Sequence, residues 1–271
     1  MKNTIIMELY SAEEVTPESA RLQIHALSNF NEGIFRPEQC DTAEPLRERF
    51  DPSDISEPIR WLTQPGADFK FKRLKPRRIE GYISNRHFAQ TWTKETKRGP
   101  WVHTVPKVPE PLFLTSWTIW FDWDYLRTVG SNTLQRFAVE MFLVSRSEYG
   151  FMTSESDHKS KNFLIRGLPS GATSSMFVGT NPQYGIPGLY WLNLYGPQYA
   201  AWLGPQIAAV PGAVKPIGNG SISIQFGDSP EGAETQDVLT REREAVTLLG
   251  WEKFFDVRQP ERKPVSPFVY Q

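Results

Sequence analysis

The sequence predicts an α+β fold: a ferredoxin-like core over residues 113–226, built from a repeated strand–helix–strand unit, with an N-terminal α/β extension packed on it. Three observations lead there. The order strand, helix, strand is read twice between Phe113 and Phe226. Residues 4–30 read as one strand followed by one capped helix. With 39% apolar and 13% aromatic residues, a chain of 271 residues can bury a large core, which excludes wholesale disorder. The whole chain, 1–271, is expected to form one domain: an extension (1–110), an α+β core (111–256) and an extended tail (257–271).

Ile5, Met7 and Leu9 alternate with Ile6, Glu8 and Tyr10, so Thr4–Tyr10 reads as a strand. Thr16 as N-cap and Pro17 at the first helical position open a helix carrying Leu22 and Ala26. Residues 31–52 read as loop with a short helical turn. Ser53–Thr63 reads as a second helix with Ile55, Ile59 and Leu62 on one face, and Arg78–Ile83 as a strand within a basic, irregular stretch.

The core is better patterned. Phe113, Thr115, Trp117, Ile119 and Phe121 share one face of a strand. Ser131–Ser147 is a helix so broadly apolar that it should lie centrally. Tyr149–Ser154 follows as a strand and Ser156–Tyr184 as loop. Gly188–Tyr195 is apolar on both faces, as a strand inside a sheet should be. Gly196-Pro197 starts a short helix that ends at Gly204. Gly218-Asn219-Gly220 is a hairpin turn before the strand Ser221–Phe226. Thr235–Leu249 is the last helix, with Gly250 at its C-terminal end and Trp251 placed to fold back on Val246.

Net charge is −1, which argues against a dedicated nucleic-acid or membrane binder. The charge is blocked: −7 over residues 1–59, +8 over 60–110, +1 over 111–225 and −3 over 226–271. Acidic and basic blocks are expected to pair within the fold. The single cysteine, Cys40, excludes a disulfide framework and a thiolate-rich zinc site, and its neighbours offer no cation to activate a thiolate. Met1-Lys2-Asn3 leads into a short apolar run broken by Glu8, so no export signal is read, and no stretch approaches a spanning length. A cytoplasmic setting is expected.

No nucleophile elbow, phosphate loop or dinucleotide fingerprint is present. His25, His87, His103 and His158 have no partner at metal-ligand spacing. Asp122 with Asp124, or Glu155 with Asp157 and Lys159, offers a weak match to a metal-dependent nuclease or hydrolase, as does Asp68 with Glu95 and Lys97. The basic run Lys70–Arg78, with Phe71 inside it, offers a nucleic-acid-binding alternative, though a solvated loop is the simpler reading. Neither catalytic nor metal residues, nor a cofactor, are assigned.

The segment Gly185–Tyr199, reading GIPGLYWLNLYGPQY, resembles the immunity protein 52 family of type VI secretion and polymorphic-toxin systems. Gly188, Tyr190, Trp191, Leu192, Asn193 and Gly196 carry the resemblance, supported by Leu203-Gly204 and by Tyr149-Gly150-Phe151 after the long helix. It covers roughly residues 113–256. The resemblance implies a non-enzymatic protein that binds the toxin domain of its own effector one-to-one, without membrane or nucleic acid, and occludes a restriction-endonuclease-like nuclease. The motif itself is expected to be core. Candidate contacts are the acids Asp228, Glu231, Glu234 and Asp237, a second acidic pair Glu13 and Glu14, and Trp92 or Trp101 as aromatic anchors.

Overall fold

A computed structural model describes residues 4–64, 68–85, 113–167, 172–180, 182, 185–262 and 264–265. Among these residues the elements in chain order are β1 (Thr4–Ser11), α1 (Pro17–Asn29), β2 (Gln39–Asp41), β3 (Glu48–Arg49), α2 (Ser56–Thr63), β4 (Asp68–Arg73), β5 (Ile79–Asn85), β6 (Thr115–Asp122), α3 (Trp123–Val129), α4 (Ser131–Val144), β7 (Tyr149–Ser154), α5 (Glu155–Asn162), β8 (Phe163–Gly167), β9 (Thr173–Phe177), β10 (Leu192–Tyr195), α6 (Pro197–Leu203), β11 (Ala213–Gly218), β12 (Ser221–Gln225) and α7 (Gln236–Leu249). The α+β class read from the sequence holds.

Among the described residues ten strands form one antiparallel sheet in the order β11-β12-β10-β7-β1-β6-β5-β4-β2-β3, and β8 pairs only with β9. Two expectations are corrected. First, the described residues within 1–110 do not form an extension laid on the core. β1 is a central strand, hydrogen-bonded to β7 on one side and β6 on the other. The cause is two-sided apolarity: Ile5, Met7 and Leu9 enter one core, and Ile6 and Tyr10 the other. β6 and β7 therefore run parallel on either side of β1, joined by α3 and α4, which is one split strand–helix–strand unit. Second, the other unit is not a repeat of it. β10 and β12 are direct antiparallel neighbours, so α6 is no crossover between parallel strands. Helices consequently cover both faces: α1, α2 and α4 contribute to the first core, α6 and α7 to the second.

Local chemistry explains the element ends. Thr16 caps α1 by accepting the Ser19 N–H at 3.2 Å, and Ser19 Oγ accepts the Thr16 N–H at 2.9 Å, a reciprocal capping box. Asn219 and Gly220 both have positive φ, as the expected hairpin turn requires. In β7, a Cβ on Gly150 would lie 2.6 Å from Leu9 Cδ2 and 3.2 Å from Phe142 Cδ2, so only glycine lets α4 sit this close to the sheet. The aromatic load is spent in both cores: Phe35 and Phe137 rings lie 4.2 Å apart on one side, Phe151 and Tyr190 rings 4.1 Å apart on the other.

The region read as loop between Ser156 and Tyr184 contains α5, β8 and β9. α3 precedes the long helix and was not expected, and β10 is shorter than the strand read at Gly188–Tyr195. Trp251 is exposed instead of folded down; the Arg262 guanidinium stacks on its ring at 4.7 Å.

Candidate partner-binding surface

Three central strands end together. Thr4 of β1 faces Asp122 of β6, and Ile5 faces Ser154 of β7. Ser154 caps α5 by accepting the Asp157 N–H at 3.0 Å, which sets Glu155 at the first helical position beside the strand ends. The positive end of a helix favours an acid there. After β12 the chain makes a single turn at Pro230–Gly232, bringing Glu231 and Glu234 to the same end.

Glu155, Glu231 and Glu234 thus line one groove of about 580 Å³ with Thr4, Trp123, Arg127, Ser156 and Lys159. A smaller recess of about 200 Å³ shares Thr4 and Glu155 and adds Arg78, Glu80, Trp120 and Asp122. Each cation here already has an acid: Lys159 lies 2.6 Å from Glu155, Arg78 2.6 Å from Glu80 and Arg127 3.8 Å from Asp124. Among the described residues Glu231 and Glu234 have no ion-pair partner, and Asp122 accepts only the Arg78 backbone N–H at 3.3 Å. The groove therefore carries a surplus of negative charge open to a partner.

The other candidates are dispersed. Asp228 is exposed but does not line the groove. Asp237, in the first turn of α7, pairs with Arg241 at 2.6 Å. Glu13 and Glu14 are exposed past the opposite end of β1, where Glu13 pairs with Arg146 at 3.0 Å. Eight strand residues put them about 25 Å from the groove. Trp92 and Trp101 lie outside the described residues, as do His87, His103, Glu95 and Lys97.

Gly188, Tyr190, Trp191, Leu192, Asn193 and Gly196 are all buried, and Leu192 and Asn193 lie in β10, with Tyr190 and Trp191 just before it. Asn193 is the organiser. Its Oδ1 accepts the Tyr190 N–H at 2.9 Å, and its Nδ2 donates to Tyr190 O at 2.7 Å and Ile224 O at 3.3 Å. Gly196 abuts the Glu148 backbone, leaving no room for a Cβ.

Of the residues of the nuclease alternative, Glu155, Asp157 and Lys159 do not converge. Glu155 and Lys159 pair at the surface, whereas Asp157 turns inward, accepts the Thr153 hydroxyl at 2.7 Å and meets Lys161 at 2.7 Å. Lys161 also contacts Glu242 of α7 at 2.8 Å and donates to Leu189 O at 2.5 Å. Burial pushes the carboxyl of Glu242 up to about 7 against the opposing pull of Lys161, and raises Asp157 as well. Beside them His158 is buried between Phe151, Phe177 and Tyr190, and burial drives its imidazole down to about 4. Among the described residues no group of three or more His, Cys, Asp or Glu is placed to hold a metal ion.

The basic run is not a solvated loop. It forms β4 and the turn into β5, and several of its charges have partners within the chain. Lys72 lies 3.9 Å from Glu44, Arg73 bonds Ile34 O and the Tyr125 hydroxyl, and Arg78 pairs with Glu80. Cys40 is buried on β2, and burial together with Asp41 and Glu48 pushes its thiol up to about 12, far from a reactive thiolate. No described helix is long and apolar enough to cross a membrane.

Sequence reasoning named Glu231 and Glu234 but placed Asp122 and Glu155 in a different hypothesis. The signal that joins them is the register of β1 against β6 and β7, which is non-local.

No protein-family model matches the chain, and no curated protein does. Among solved structures the fold is similar to that of a Pseudomonas aeruginosa protein described as "T6SS protein PA0821", with 13% identity and a TM-score of 0.51 over 91% of this chain and 72% of that one.

Proposed function

We propose that this chain is an immunity protein that neutralises the nuclease toxin domain of a type VI effector by binding it and covering its substrate groove. The observation that carries this reading is the groove at the end of β7, β1 and β6. There Glu231 and Glu234 have no ion-pair partner among the described residues, and Asp122 lines the adjoining recess that shares Thr4 and Glu155 with the groove. A nuclease presents a cationic surface to its substrate, and clustered carboxylates on a rigid sheet end match that surface in charge. Two further points support the type VI setting: the fold likeness to a protein described as a T6SS protein, and the resemblance of Gly185–Tyr199 to the immunity protein 52 family. The proposed site of action is the cytoplasm of the producing cell, and the proposed stoichiometry is one-to-one.

The hydrolase alternative, in its Glu155, Asp157 and Lys159 form, is weakened by the inward turn of Asp157. The nucleic-acid alternative is weakened by the internal pairing of Lys72, Arg73 and Arg78. The test is rescue. Cells expressing the toxin domain encoded beside this chain should survive when the chain is co-expressed and die without it. Death in both cases, with the chain shown to accumulate in folded form, overturns the proposal.

A further inference from the structure

α7 and the segment that follows it enclose a second groove, of about 730 Å³, which Lys161 of α5 also lines. It shares no residue with the acidic groove.

The backbone fixes its shape. Gly250 has φ +96°, so the chain turns back at the end of α7. The returning segment is pinned on both sides. The Ile186 N–H donates to Lys253 O at 2.9 Å, and the Phe255 N–H donates to Ile186 O at 2.9 Å. Arg262 donates from Nη2 to Phe254 O at 2.8 Å and from Nη1 to Trp251 O at 3.3 Å. The walls are therefore formed before any ligand arrives, and the volume falls in the range of small-molecule sites.

The lining selects the ligand by charge. Four cations, Lys161, Arg243, Arg258 and Arg262, stand against two acids, Glu242 and Asp256. Lys161 holds Glu242 at 2.8 Å, and Arg258 holds Asp256 at 3.0 Å. Asp256 also feels the field of Arg262. No further acid lines the groove, so the charges of Arg243 and Arg262 are in excess. A cationic nuclease surface is repelled here, and an anion is attracted.

The lining also selects by shape. Trp251 is 60% exposed, and the Arg262 guanidinium lies 4.7 Å from its ring centroid. Phe254, Phe255 and Val246 continue the apolar wall beside it. An open indole next to a guanidinium offers a planar ring a stacking surface and its acid group a charge-assisted hydrogen bond.

We infer that this groove binds a small aromatic anion, with its ring on Trp251 and its carboxylate or phosphate drawn to Arg243 and Arg262. The inference goes beyond the immunity reading and does not depend on it.

The test is calorimetric titration of the full chain with naphthoate and naphthyl phosphate, and with naphthamide as their neutral counterpart. At least one anion should bind saturably and one-to-one, and naphthamide should bind roughly tenfold more weakly. The tighter of the two anions tells whether the natural group is a carboxylate or a phosphate. Arg243→Gln and Trp251→Leu, both at exposed positions, should each weaken binding roughly tenfold and leave the melting temperature unchanged. Arg241→Gln, on the same helix but paired with Asp237 outside the groove, should leave binding unchanged. The inference is overturned if neither anion saturates a site, if naphthamide binds as tightly, or if Arg243→Gln and Trp251→Leu both bind like wild type.

Discussion

Lys161 Nζ lies 2.8 Å from Glu242 Oε2, an ion pair that joins α5 to α7 across 81 residues of sequence. With Asp157 on its other side, the lysine is held between two buried carboxylates. Removing it leaves both without their counter-charge. Lys161→Met should therefore destabilise the protein by about 3–5 kcal/mol. Glu242→Gln, which leaves Lys161 its Asp157 partner, should cost clearly less. Urea unfolding midpoints at pH 7 read both.

Two buried groups make stability depend on pH with opposite signs. Glu242 is raised from 4.5 to about 7, so the folded state keeps a proton the unfolded chain gives up. Its contribution is full below about pH 4.5 and is lost as pH rises through about 7. Asp157, also raised by burial, acts in the same direction. His158 is lowered from 6.5 to about 4, so the unfolded chain takes a proton the folded state refuses. Its contribution is full above about pH 6.5 and is lost as pH falls through about 4. The two slopes oppose each other between pH 4.5 and 6.5. Glu242→Gln should make stability rise more steeply with pH in that window. His158→Phe, which keeps a ring in the aromatic nest, should make it fall. Urea midpoints at several pH values across the window decide the matter, and identical slopes in all three proteins refute it.

Asn193 bonds both backbone groups of Tyr190 and the carbonyl of Ile224 from within β10. Asn193→Leu is close in volume but leaves buried backbone groups unpaired. It should destabilise by roughly 1–3 kcal/mol for each group left unsatisfied, measured by thermal unfolding. A loss of only a few tenths would mean that this side chain does not hold the turn before β10.

What was legible in the sequence had local causes. Thr16-Pro17 marked the start of α1, Asn219-Gly220 marked a hairpin, and Thr235 and Gly250 bracketed α7. What escaped was of two kinds. α5 reads ESDHKSKN, and its buried side is Asp157, His158 and Asn162, so a search for apolar periodicity passes over it. The place of β1 depends on pairing with strands more than a hundred residues away. A signal was present, since Ile5, Ile6, Met7, Leu9 and Tyr10 put apolar groups on both faces, as a central strand requires. The same non-local register conceals the site, because it brings Asp122 beside Glu155, which in turn lines the groove with Glu231 and Glu234.

Calorimetric titration of the full chain with the toxin domain encoded beside it tests partner binding through the acidic groove most directly. Binding should be one-to-one and about nanomolar, should weaken as salt is raised, and should fall roughly a hundredfold when Glu231→Lys and Glu234→Lys are combined, with the melting temperature unchanged. No heat of binding with any such toxin domain, or an undiminished affinity in the charge-reversed protein, would contradict it.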